Sequence, residues 1–149
     1  MKAKNILTVQ VSQHLDFREG GKMFKGYLLK INGVIFPNKF IVYKSYEITP
    51  NQKQDLDSYL DGNGELHRKI LPHVRTKCEF NTPPLKESKV NELRTFFGDT
   101  TTINVQYWNP KKGLYESGVF YAPDFTYIID DLLNNDILYD QIRIALIEY

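Results

Sequence analysis

The chain has 149 residues, about one domain's worth, and its 42% apolar and 25% charged content is that of a folding globular protein, which excludes intrinsic disorder. Nineteen basic against eighteen acidic residues leave a net charge of +1, so no global field draws the chain to nucleic acid and any basic patch must be local. No stretch approaches the roughly 18 consecutive apolar residues of a membrane span, and residues 1–10 hold no signal-peptide core, so we expect synthesis in a cytoplasm without membrane insertion.

Taken in chain order, residues 4–13 alternate Ile6, Thr8 and Gln10 with Leu7, Val9 and Val11, the pattern of a strand with one apolar side. His14 to Lys25 is polar and broken by Gly20-Gly21. Tyr27 to Ile31 and Val34 to Phe36 flank Asn32-Gly33, a strong hairpin signal because both central residues of a type I′ turn need positive φ. Phe40 to Ile48 is expected to continue as strand. Thr49 to Leu60 reads as a loop with one turn of helix, and Asp61-Gly62-Asn63-Gly64 as a turn. Leu66 to Ile70 and Val74 to Phe80 read as strands separated at Pro72, the second with Thr76, Cys78 and Phe80 inside and Arg75, Lys77 and Glu79 outside.

Pro83-Pro84 ends that strand. Lys86 to Phe97 then places Val90, Leu93 and Phe97 on one helical face, with Gly98 ready as a C-terminal cap. Ile103, Val105 and Tyr107 alternate with polar residues, the Asn109 to Gly113 turn follows, and Tyr115, Val119 and Phe120 return. Asp130-Asp131 and Asn134-Asn135 mark 124–140 as irregular. Gln141 to Tyr149 alternates again and suits a core strand.

No pattern of chemistry stands out. Cys78 is alone and sits on an inward position, the place of a small buried apolar residue. Asp61, Asn63 and Glu65 have calcium-loop spacing at first, but Leu66 stands where the loop needs glycine, so a polar turn is the better reading. His14, His67 and His73 lack the cysteines or third ligand of a zinc site. Nucleophile-elbow, phosphate-loop and zinc-protease motifs are absent from the sequence, and Asp130 and Asp131, being adjacent, point apart. We expect no catalytic residues, no cofactor and no metal. Trp108-Asn109 and the tyrosines of 121–127 leave a carbohydrate- or receptor-binding β-module as the alternative function, though aromatic packing on the hairpin explains them as well.

Five segments in order carry a resemblance: Asn32-Gly33-Val34-Ile35-Phe36-Pro37, Gly64-Glu65-Leu66-His67-Arg68, Thr76-Lys77-Cys78-Glu79-Phe80, Val105-Gln106-Tyr107-Trp108-Asn109-Pro110, and Gly118-Val119-Phe120-Tyr121-Ala122-Pro123-Asp124. Over about residues 28–149 the chain resembles small tail proteins encoded in the tail modules of long-tailed phages and prophages of Gram-positive bacteria. The resemblance implies a tail-tube-like fold, mainly β, a sandwich or barrel with one flanking helix at about 86–97. It implies a structural subunit of a tube end, distal tail or baseplate, located in the virion tail. The expected partners are a ring of identical copies, a hexamer being one closed solution, and other tail proteins. Residues 1–27 are expected to form an N-terminal arm and 28–149 the domain. The residues expected at the subunit interface, from their polarity and position outside the core pattern, are Ile6, Val9, Phe17, Trp108, Asn109, Lys111 and Lys112.

Overall fold

The computed structural model describes residues 23–149, and the strand expected over residues 4–13 lies outside them. Asn32 and Gly33 carry φ of 50° and 82°, as a type I′ turn demands, and join β1 (Leu29–Ile31) to β2 (Val34–Ile35) with Ile31 opposite Val34. Of the strand expected over Phe40 to Ile48, only Glu47 and Ile48 are extended and paired. Short 3-10 turns occupy Asn38–Phe40 and Tyr43–Ser45. Phe40 and Ile41, adjacent in sequence, are both buried, which a half-wet strand cannot achieve because its side chains alternate faces.

The loop expected over Thr49 to Leu60 is also corrected. β3 (Glu47–Asp55) pairs antiparallel with the long β6 (Ile70–Asn81), and beyond them β4 (Tyr59–Leu60) pairs with β5 (Leu66–His67). β3 is the outer strand of its sheet, so most of its side chains are wet and no apolar alternation marks it in the sequence. The ladder slips between Thr49 and Gln52, which accommodates Pro50 on this edge strand and leaves Asn51 at φ 51°. A second slip, between Lys53 and Asp55, lies opposite Pro72. The proline therefore sits in a bulge within β6 and does not divide it. Thr76, Cys78 and Phe80 point inward as the alternation requires.

After Pro83-Pro84, β7 (Leu85–Lys86) leads into α1 (Glu87–Arg94). Val90, Leu93 and Phe97 are all buried, as their spacing predicts. The helix is shorter than expected because its last turn tightens: the N–H groups of Thr95, Phe96 and Phe97 donate to carbonyls three residues back. Gly98 does not take the positive φ of a C-terminal cap. β8 (Ile103–Asn109) and β9 (Leu114–Tyr121) form the expected hairpin in continuous register from Ile103↔Phe120 to Asn109↔Leu114. The stretch read as irregular is a second hairpin, β10 (Ile129–Leu133) and β11 (Asp136–Tyr139), turned by Asn134 at φ 51°. β12 (Arg143–Glu148) closes the chain with Ile142, Ile144 and Leu146 fully buried.

The strands make an antiparallel seven-stranded sheet in the order β2-β1-β8-β9-β12-β6-β3, and a smaller sheet in the order β10-β11-β7. The protein is mainly β, with antiparallel sheets and one flanking helix, consistent with a β-sandwich. At the centre of the core Phe36 lies 5.1–5.8 Å, ring to ring, from Phe40, Phe80, Phe96 and Phe97. It ties the first hairpin, β6 and the segment after α1 together, and such a buried ring is worth about 1.5–3 kcal/mol of transfer free energy.

Candidate interaction surfaces

The β8–β9 turn is organised by Asn109, which has no exposed surface. Its Nδ2 donates to Asn51 Oδ1 and Glu116 Oε1, both at 2.9 Å, and its Oδ1 accepts the N–H groups of Lys111 and Lys112. Gly113, at φ 66°, donates its N–H to the Asn109 carbonyl at 2.8 Å. Asn109 thus serves the hairpin from inside. Lys111 and Lys112 are exposed, Lys112 pairing with Glu116 at 2.9 Å. Trp108 is half-buried, edge-on to Phe24 at 5.4 Å and to Tyr115 at 5.1 Å. Ile6, Val9 and Phe17 lie outside the described residues.

A polar network runs inward from this turn. Asn51 donates its N–H to Thr76 Oγ1, which shares a 2.9 Å hydrogen bond with the Tyr107 hydroxyl, and Thr76 donates its N–H to Glu148 Oε1. Burial holds the Tyr107 phenol above its ordinary value against the Thr76 hydrogen bond, with Glu116 and Glu148 adding to the rise. A Cβ at Gly118 would meet the Glu148 carboxylate, which would have to move aside. Burial pushes the Cys78 thiol up to about 12, so the cysteine is an inert packing group.

The far end of the β3–β6 hairpin is different in kind. From residue 55 to residue 70 no side chain is buried, and Leu56, Tyr59, Leu60, Leu66 and Ile70 are between 41% and 67% exposed. The tip is held by local contacts: Tyr59 stacks on His67 at 4.9 Å, and Arg68 pairs with Asp55 through both carboxylate oxygens. The fold brings Asp61 and Glu65 beside His67, a grouping the linear spacing did not reveal. Asp61 spends its oxygens on the turn, Oδ1 accepting from the N–H groups of Asn63 and Glu65 and Oδ2 meeting His67 at 2.8 Å. Those bonds, His67 first, hold its carboxyl below the usual range.

β10 is a second exposed element absent from the expected interface. Ile128, just before the strand, and Ile129 and Leu132 within it are 55%, 57% and 68% exposed, and among the described residues β10 is an edge strand. Residues 128–133 run Ile-Ile-Asp-Asp-Leu-Leu, a pattern with neither the period of a half-buried strand nor that of a helix.

A protein-family profile matches residues 22–149. The chain belongs to the family of unknown function DUF6711. No curated protein matches it. Two solved chains are similar, one from the virion of a native gene transfer agent particle and one from the tail of an empty gene transfer agent particle with C6 symmetry. Each has 14% identity and a TM-score of 0.49, over 85% of this chain and 95% of the other. No helix among the described residues is long and apolar enough to cross a membrane.

Proposed function

We propose that the chain is a structural subunit of a phage tail, at a tube end, distal tail or baseplate, and that it works by assembly with copies of itself and other tail proteins, not by turnover. The observation that carries this reading is the bare hairpin end. Sixteen residues, 55–70, have no buried side chain among the described residues yet present five large apolar ones to solvent. A two-stranded ribbon is at best marginally stable alone in water, and a concentrated apolar surface marks an interaction site. A neighbouring subunit supplies what the ribbon lacks. The resemblance of the ordered segments to small tail proteins supports a tail as the setting of that assembly.

The test is electron microscopy and light scattering of the purified protein across a concentration series. Closed rings or stacked oligomers are expected. In the Tyr59→Ser, Leu60→Ser double variant they should be lost while the melting temperature stays within about 2 °C, because exposed positions away from the core contribute little to stability. A wild-type protein that remains monomeric alone and with tail extract would end the proposal.

A further inference from the structure

The net charge of +1 hides a segregation along the chain. Residues 23–46 carry four lysines, Lys25, Lys30, Lys39 and Lys44, and no acidic residue; residues 122–142 carry five aspartates and no basic residue. The two stretches meet α1 at different places, Lys39 pairing with Glu92 and Asp136 accepting the N–H of Glu87. Among the described residues no ion pair joins the stretches, and none of the five aspartates pairs with a cation. The charges are therefore not used on each other within one copy.

Each charged stretch also carries an exposed apolar feature. On the basic side, a groove of about 440 Å³ is lined by Phe24, Gly26, Leu28, Asn38, Tyr43 and Tyr46, with Phe24 and Tyr43 50% and 64% exposed. The exposed Lys25 and Lys44 are sequence neighbours of these walls. On the acidic side, residues 128–132 are exposed at and along β10, and among the described residues no strand pairs with its outer edge. The groove is built from the lysine-bearing stretch, and the exposed strand belongs to the aspartate-bearing one.

We propose that β10 of one copy docks into the Phe24–Tyr43 groove of a second copy, with Ile129 and Leu132 against the aromatic walls and Asp130 and Asp131 facing Lys25 and Lys44. This deepens the assembly reading above and rests on it. Because the two surfaces are different parts of one chain, the contact is head-to-tail, and every copy offers one ridge and one groove; such contacts close into rings or run on as filaments. The partner is a second copy because both complementary halves are present on the same polypeptide, and complementary charge steers the encounter and fixes its register.

The experiment is charge reversal with complementation, read by sedimentation equilibrium on the full chain. Asp130→Lys with Asp131→Lys turns the ridge basic, and Lys25→Glu with Lys44→Glu turns the groove acidic. Each variant alone should associate at least about tenfold more weakly than wild type, since like charges then face each other. Mixed in equal amounts, the two should recover association to within about threefold of wild type, because every cross contact is again of opposite sign. All four positions are exposed, and circular dichroism melts confirm that each variant is folded. If wild type assembles and either variant assembles equally well, or the mixture does not recover, the docking is wrong while the assembly reading survives. If wild type never assembles, both fall together.

Discussion

Asn109 shows how a polar side chain earns a fully buried position: its donors and acceptor are all engaged, across the hairpin to Glu116, sideways to Asn51 on β3, and upward to the turn N–H groups. Replacing it with alanine leaves those partners to find water in a closed site, a loss of roughly 1–3 kcal/mol. We expect Asn109→Ala to lower the unfolding free energy measured by urea titration by that amount. Lys111→Ala and Lys112→Ala should move stability by no more than about 0.5 kcal/mol, because their side chains lie at the surface and an exposed ion pair contributes little. Equal effects at all three positions would mean that the turn, and not Asn109, holds the hairpin. The sequence identified these five residues as a turn, and the period of two through Ile103, Val105 and Tyr107 continues to Asn109, but nothing local pointed to its partner Asn51, 58 residues away.

At the scale of elements, α1 is too short to persist alone; eight residues are below the length at which an isolated helix is stable. Val90 and Leu93 anchor its inner face, while Glu87 at the N-terminal turn takes Arg94 from the other end and the Tyr139 hydroxyl from β11. Arg94 first and Tyr139 second hold the Glu87 carboxyl below its ordinary 4.5. A depressed carboxyl contributes stability that is present above the unfolded value and lost as pH falls through the folded one. Wild type should therefore lose stability relative to Glu87→Gln as pH drops below about 4.5, with the two curves running parallel at neutral pH. Curves that stay parallel through the acid range would show that the contact does not bias folding. The helix itself was legible because its three apolar residues recur at helical spacing. The β10–β11 hairpin was not, because an edge strand wet on both faces has no alternation to read.

For the whole molecule, the consequence of segregated charge is a salt dependence out of proportion to a net charge of +1. Screening length falls from about 8 Å at physiological ionic strength to about 3 Å at 1 M. Self-association should weaken several-fold between 0.05 and 0.5 M salt, measured by light scattering, if lysine and aspartate surfaces meet between copies; association that strengthens with salt would point to purely apolar contact. Here the sequence order alone specified the first hairpin, the inward face of β6, the buried face of α1, the β8–β9 hairpin and the closing core strand. Each rests on local rules: positive φ at Asn-Gly, a period of two, a period near 3.6. What tertiary structure decided is everything set by contacts far apart in the chain. β3 is strand because β6 lies beside it, Pro72 fits because the ladder bulges opposite it, and the tip at 55–70 is bare because nothing in the described fold reaches it. Periodicity records how a segment is buried, so elements that are buried on neither face leave no record, and the surfaces proposed above for contact between subunits include such elements.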